Sequence, residues 1–325
     1  MMNSKQRPFF KGFPNFVAAT DDLEVREADE SVYRWWWECV RLSPVLWFAQ
    51  ETGLKPTDPE VAKVAATFGD LRSGGFSKWW RETGRVIFAE AKRPSKVELL
   101  PLDELHEHKF NPQKIYLEIP LTIRPQTLLK QIKEILATKL DGRTLNLTAH
   151  SQAEFKLHTK RYRLHTLENE YWVLLYRLLF PEIEVWRIGD RLKLAPQHKV
   201  IDGNSRTINS AKHALNSVTG RSLYKARFAL INAERGSFPN ATPIELSDRF
   251  QPFGLKHQTD YRAATEDTKD GAPSAWKLWL MEEYGVSLKF EVLRRNNVEA
   301  EFKMPDGLLR KRIKAYIAGT SDLLK

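Results

Sequence analysis

The stretch that decides the fold of this chain runs from residue 168 to residue 239 and reads ENEYWVLLYRLLFPEIEVWRIGDRLKLAPQHKVIDGNSRTINSAKHALNSVTGRSLYKARFALINAERGSFP. Apolar residues recur in it every three or four positions, which is the spacing of helices that bury one face. Pro181 and Gly236 interrupt the pattern, and Arg, Lys, Asn, Ser and His fill many of the positions between. We therefore predict successive short helices whose polar faces suit a polyanion better than a small-molecule pocket.

The order of these helices resembles a helix-turn-helix. The first, EVWRIGDRLKL at 184–194, carries an apolar stripe of Val185, Ile188 and Leu192, and Gly189 permits close approach of a second helix. Ser205 is a suitable N-cap for that second helix. The connection between the two is longer than the tight turn of the standard motif. An ordinary helical bundle with a solvated basic face therefore stays open as the alternative.

Two further helices follow Ser205. RTINSAKHALNSV, at 206–218, places Ile208, Ala211, Leu215 and Val218 on a buried face. SLYKARFALINAERG, at 222–236, is predicted as a separate helix with Thr219 as its N-cap and Gly236 at its C-terminal stop.

The polar side of this region supplies the candidate DNA contacts. Arg and Asn pair with guanine and adenine edges in the major groove, while basic side chains also neutralise phosphates. Within 206–218 we assign Asn209 and His213 to base edges, because they lie four apart on the outward side, and Arg206 and Lys212 to phosphates. The complete set of candidate residues is Arg187, Arg206, Asn209, Lys212, His213, Asn216, Arg221 and Lys225.

The charge of the chain is concentrated in the same region. The whole chain has a formal net charge of +10, and residues 141–240 hold 16 Lys and Arg against 9 Asp and Glu. About seven of the ten excess positive charges therefore fall within these hundred residues. Such clustering favours a nucleic acid as the partner, with duplex DNA as the first expectation.

The region before this stretch is rich in tryptophan. Helices are predicted to begin near Asp29 and Ser31, to end at Gly53, and to restart with Asp58 as N-cap and Pro59 in the first turn. An irregular, acidic segment precedes them, and Gly84 is predicted as a hinge in a later helix. The clusters Trp35-Trp36-Trp37 and Trp79-Trp80 either fill a core or anchor partner proteins.

Some β structure is predicted at the edges of the helical regions. IYLEIPLTI at 115–123 alternates like a strand, and VSLKFEVLRR at 286–295 and VEAEFKM at 298–304 form a predicted strand pair after a helix at 274–285. We therefore predict a mainly α fold with small β elements (α+β), multi-helical, with a helix-turn-helix-like central domain. Its regions are a Trp-rich helical domain (1–95), a basic helical DNA-binding domain (110–240) and a small α/β C-terminal region (270–325).

Motifs for catalysis are largely absent from the sequence. Asp70, followed by Glu90 and Lys92, has the spacing of a metal-dependent nuclease of the PD-(D/E)xK type, but this short pattern recurs by chance. Phosphate-binding glycine loops, nucleophile elbows and paired His metal motifs are missing. We therefore predict no catalytic residues, no cofactor, no metal site and no enzymatic activity, and keep the nuclease as an alternative.

The same sequence bears on the cellular compartment. Cys39 is the single cysteine, so an internal disulfide is impossible. The start of the chain lacks the apolar core of a secretory signal, and no window of 18 uncharged apolar residues occurs. These features predict a cytoplasmic protein without a membrane partner.

Two aromatic segments carry a resemblance to a known group of proteins. YRWWWECVRLSP and FGDLRSGGFSKWWRETGRVIFAE, together with the IPL strand and ALINAERGSFP, are similar to bacterial prophage and integrative-element proteins of the transcriptional-regulator-like type. The chain keeps Trp37-Glu38 and Arg41, but has Ser43 where that group usually has Asn. The similarity covers about residues 30–240 and excludes the C-terminal region.

This resemblance implies DNA-associated, mobile-element biology and no established catalytic residues. Together with the charge, it predicts a non-enzymatic protein of a mobile-element or phage-related system, acting in transcription regulation, that binds duplex DNA. A protein–protein interaction module of a larger nucleoprotein complex is the alternative, alongside the nuclease.

Overall fold

Helices make up most of the part of the chain that the structure, a computed structural model, describes. That part comprises residues 8–13, 20–72, 74–90, 117, 119–120, 122–139, 151–159, 161–198, 205–245 and 251–296. In chain order the helices are α1 (Asp21–Asp29), α2 (Val32–Arg41), α3 (Pro44–Thr52), α4 (Pro59–Thr67), α5 (Phe76–Trp79), a π-helical turn (Trp80–Gly84), α6 (Arg85–Ile87), α7 (Pro125–Lys139), α8 (Leu164–Leu179), α9 (Val185–Arg191), α10 (Ser205–Glu234), α11 (Gly254–Thr265) and α12 (Ala275–Arg295). The prediction of a mainly helical protein is confirmed.

Capping residues fix several helix ends. The Ser31 hydroxyl accepts a hydrogen bond from a first-turn backbone N–H of α2 at 3.2 Å. Asp58 does the same for α4 at 2.9 Å, and Pro59 occupies the first helical position. Gly53 ends α3 with φ at 71°, a left-handed conformation that glycine adopts without steric cost. These three predicted boundaries are confirmed, because each depends on contacts between neighbours in the sequence.

The acidic segment that precedes α2 is helical, which corrects the prediction of an irregular segment. It forms α1, whose first turn carries three carboxylates where the helix dipole favours them. Arg85 pairs with Asp21 at 3.0 Å and with Glu24 at 3.1 Å. The Trp80 indole also donates to Glu24, at 3.1 Å. The acidic run is therefore a helix that docks on the π-helical turn and α6.

Tryptophan builds the core. Trp36 is fully buried on α2, and its ring packs against those of Phe68, Phe88, Phe155 and Phe238. The interpretation of the Trp clusters as core residues is confirmed for Trp36 and the others that are buried, which are Trp37, Trp79 and Trp80. The hypothesis that these four anchor a partner protein is wrong, because their rings are not accessible.

A buried carboxylate joins three helices. Glu38 on α2 pairs with Arg34 at 2.5 Å, and it accepts hydrogen bonds at 3.3 Å from Tyr171 on α8 and Tyr284 on α12. Burial, together with this neighbouring carboxylate, raises the pKa of both tyrosine hydroxyls. Three parts of the chain that are far apart in sequence thus meet at one ion pair.

The predicted break near Thr219 does not exist. Residues 205–234 form the single helix α10, although 206–218 and 222–236 were predicted as separate helices. Thr219, the predicted N-cap, is buried in the middle of α10. One interior glycine, Gly220, lowers helix stability by only about 1 kcal/mol relative to alanine. The apolar stripe that continues through it offsets this effect, since Leu215, Thr219 and Leu223 are all buried.

The predicted strand at 286–295 is also helical. It is the second half of α12, whose buried residues Trp276, Leu280, Tyr284, Leu288 and Val292 follow one another at intervals of four. Helical spacing therefore overrides the alternation seen in the sequence.

The other predicted β elements are not shown either. Among the described residues, β pairing consists of the isolated bridges Phe9–Glu90 and Leu157–Phe238. Leu117, Ile119 and Pro120 of the predicted strand at 115–123 are described and are not in a strand, while 298–304 lies outside the described residues.

The described parts of all three predicted regions contribute to one hydrophobic cluster, which includes Trp36, Leu230 and Leu288. The division into regions 1–95, 110–240 and 270–325 stays a prediction.

Candidate nucleic-acid interface

The interface begins at the crossing of α9 and α10. Ile188 of α9 and Leu192, which caps it, are both buried, as the apolar stripe predicts, and α9 packs against α10. Gly189 lies directly over Thr219, and a Cβ added at Gly189 would come 2.0 Å from the Thr219 Oγ1. The predicted role of Gly189 in close helix approach is therefore confirmed. A helix-turn-helix is not, because the predicted second and third helices are one helix. The predicted connection is described only as far as His198.

The side of α10 that faces away from α9 and α8 is exposed along most of the helix. We define the outer face of α10 by the exposed residues that recur there at helical spacing, which are Arg206, Asn209, Ser210, His213, Asn216, Ser217, Arg221, Tyr224 and Arg227. Five of these nine, namely Arg206, Asn209, His213, Asn216 and Arg221, are candidate DNA contacts from the sequence. The structure thus brings these five to one continuous surface.

This surface carries positive charge without compensation from its own helix. Residues 205–233 contain five Lys and Arg and no Asp or Glu. The first acid of α10, Glu234, is buried at its end. Because opposite charges usually alternate on a solvated helix, an uninterrupted run of one sign favours an anionic partner.

Lys212 and Arg187 both lie over the indole ring of Trp186, to one side of the outer face. The Lys212 amine lies 4.7 Å from the centre of the Trp186 ring, and the Arg187 guanidinium lies 5.2 Å from it. Arg187 also pairs with Glu184 at 2.9 Å. Hydrogen bonds from Trp186 and Arg187 lower the pKa of the Glu184 carboxyl. Lys212 is half-buried and Arg187 is partly neutralised, so both have less freedom to reach a phosphate than Arg206 has.

Lys225 lies at the other edge of the outer face and is exposed. Its positive charge acts on Glu170 of α8, a buried residue. Burial raises the pKa of the Glu170 carboxyl to about 7, and the positive charge of Lys225 opposes this shift. The edge of the interface therefore adjoins a carboxyl group that titrates near neutral pH.

A cleft of about 280 Å³ lies between α9 and the end of α12. Arg187, Arg191 and Lys193 line it, together with Trp186 and Asn296. Both helices end here, and their terminal carbonyl groups present partial negative charge. The Asn296 amide donates to the Arg191 carbonyl oxygen at 2.9 Å. Two of the cations in this cleft have acidic partners within α9 or beside it, since Arg187 pairs with Glu184 at 2.9 Å and Lys193 with Asp190 at 3.4 Å.

Four outer-face residues are not among the sequence candidates, namely Ser210, Ser217, Tyr224 and Arg227, and the last two have the chemistry to bind nucleic acid. Both are exposed, and both fall on the stripe that Arg206 and His213 begin. The signal was the helical spacing itself, which continues past Gly220.

The residues of the nuclease alternative have other partners. The Glu90 carboxylate is buried and accepts hydrogen bonds from the Ser151 hydroxyl at 2.5 Å and from the Gln152 N–H at 2.7 Å. Lys11 pairs with it at 3.4 Å. Asp70 accepts a hydrogen bond from the Arg72 N–H at 2.8 Å. Lys92 lies outside the described residues. Glu90 thus has a structural role that accounts for its burial.

One helix keeps the hypothesis of a partner protein open. Of the side chains described on α7, none is buried, and Leu129 and Ile135 are exposed.

Comparison with protein-family models, with curated proteins and with solved structures finds no match to this chain. Among the helices of the described residues, none combines the length and the apolar character that crossing a membrane requires.

Proposed function

We propose that this protein binds duplex DNA through the outer face of α10, as a non-enzymatic regulator in a mobile-element or phage-related system. The observation that carries the proposal is the exposed face itself, which has Arg, Asn and His side chains, in a helix with no acid over 205–233. Phosphate neutralisation by such side chains supplies most of the affinity of DNA-binding proteins. The setting in a mobile element is inferred from the sequence resemblance.

The shape of α10 supports this function. A helix of 30 residues is about 45 Å long, and the major groove of DNA is wide enough for one helix. Such a helix follows the groove over part of its length and then diverges from the curved duplex. We assign the groove to the N-terminal half, where Asn209 and His213 face outward, and the phosphates to Arg206 and Arg221. The positive end of the helix dipole, near Ser205, adds to the attraction for phosphate.

The test is fluorescence anisotropy with a labelled blunt duplex, first of random sequence and then of a site obtained by selection. At roughly 50 mM salt we expect the parent protein to bind both DNAs. Arg206→Ala should weaken both about equally, because phosphate contacts carry no sequence information. Asn209→Ala should reduce affinity for the selected site by about 1–3 kcal/mol and have little effect on random duplex.

Arg262→Ala is the matched control, since Arg262 is an exposed arginine on α11. It should bind as the parent does. The proposal fails if the parent binds no duplex at this salt concentration. It also fails if Arg206→Ala and Asn209→Ala are indistinguishable from Arg262→Ala on both DNAs.

A further inference from the structure

An aromatic pair interrupts the polar outer face of α10. The Tyr224 side chain is 55% exposed, which is unusual for a ring of this size in a folded protein. Its ring centre lies 5.0 Å from that of Phe228, with the two planes at 64°. This edge-to-face contact with a half-buried phenylalanine orients the tyrosine ring.

The charged side chains of α10 near Tyr224 and Phe228 are all positive. Arg221, Lys225 and Arg227 precede, adjoin and follow Tyr224 within three residues, and each is exposed. Basic side chains that follow a phosphate backbone, interleaved with an aromatic ring on which a base stacks, are the combination that binds single-stranded nucleic acid. A duplex whose phosphates contact these cations gives the exposed Tyr224 ring no role.

We infer that the C-terminal half of the outer face binds unpaired nucleotides next to the duplex held by the N-terminal half, with one base stacked on Tyr224. This inference rests on the proposed function, because both halves belong to one surface. The preferred ligand is accordingly a duplex that continues into a single-stranded tail.

The length of the helix sets the geometry of that ligand. Fifteen residues separate Asn209 from Tyr224, which corresponds to about 22 Å along α10. A duplex rises about 3.4 Å per base pair, so the junction lies at most about six or seven base pairs from the groove contacts. The tail therefore begins within one turn of the duplex.

The experiment compares four labelled DNAs by anisotropy at constant salt: a blunt duplex, the same duplex with a short single-stranded tail, a longer blunt duplex of equal total charge, and the tail alone. The parent should bind the tailed duplex about fivefold or more tightly than the longer blunt duplex, since one stacked base contributes about that factor or more. Tyr224→Ala should abolish this preference, whereas Arg262→Ala, at an exposed position outside the outer face, should keep it. Tyr224→Phe keeps the aromatic face and should retain the preference.

The outcomes separate this inference from the proposed function. If the parent binds tailed and longer blunt duplexes equally, the inference is overturned while duplex binding stands. It is also overturned if Tyr224→Ala keeps the preference. If the parent binds the tail, Tyr224→Ala abolishes that binding, and blunt duplex is not bound, the single-strand site is supported and the proposed function fails.

Discussion

At the scale of single residues, Glu170 has the most consequential environment. It is buried on α8, and burial raises the pKa of its carboxyl from 4.5 to about 7. A raised carboxyl pKa means that the folded state disfavours the ionised form relative to the unfolded state. The contribution of Glu170 to stability is therefore fully present below pH 4.5 and is lost as the pH rises towards 7.

Replacing this carboxyl with an amide gives a first prediction. Glu170→Gln should be more stable than the parent at pH 8 by about 1–3 kcal/mol, because the amide has no charge to bury. At pH 4.5 the advantage should be much smaller. Urea unfolding at both pH values measures the difference. Glu182→Gln, at an exposed position, is the control, and an equal gain at both pH values in Glu170→Gln would refute the account.

At the scale of helices, the crossing of α9 and α10 depends on the absence of a side chain at Gly189. Gly189→Ala should lower the free energy of unfolding by about 1–3 kcal/mol, because the added methyl overlaps the Thr219 hydroxyl. If the overlap is the cause, Gly189→Ala should have a smaller effect in a Thr219→Ala background. Denaturant unfolding of the four proteins of this cycle provides the measurement. Additive effects would show that Thr219 is not the obstacle.

Helix boundaries are the features that the sequence predicts well. The caps Ser31 and Asp58 and the stop at Gly53 were predictable, because each is a contact between residues a few positions apart. The continuity of α10 was missed, since Gly220 is a helix-weakening residue whose effect is offset by tertiary packing. The strand assigned to 286–295 failed for the same reason, because burial at intervals of four outweighed the local alternation.

At the scale of the whole molecule, the core depends on contacts between distant residues. The Trp36 indole donates to the Ala233 carbonyl oxygen at 3.5 Å, across 197 positions of sequence. No local pattern contains that information, so the sequence alone could not decide which tryptophans are buried. The candidate interface was more predictable, because helical spacing already places Arg206, Asn209 and His213 on one side. Its extension to Tyr224 and Arg227 required the uninterrupted helix.

The central claim is that the outer face of α10 binds DNA through phosphate contacts, and the salt dependence of binding tests it most directly. The logarithm of the binding constant falls linearly with the logarithm of salt concentration, with a slope of about −0.9 per phosphate neutralised. The double variant Arg206→Ala/Arg221→Ala, which removes the two side chains assigned to duplex phosphates, should flatten the slope of the parent by about 2. Arg26→Ala/Arg262→Ala is the matched control, because it removes two exposed arginines from α1 and α11.

Anisotropy titrations on one blunt duplex, from roughly 50 to 200 mM salt, give all three slopes. The account predicts a flatter slope for the α10 variant and the parental slope for the control. Equal slopes for the parent, the α10 variant and the control, or equal flattening in both variants, would contradict it.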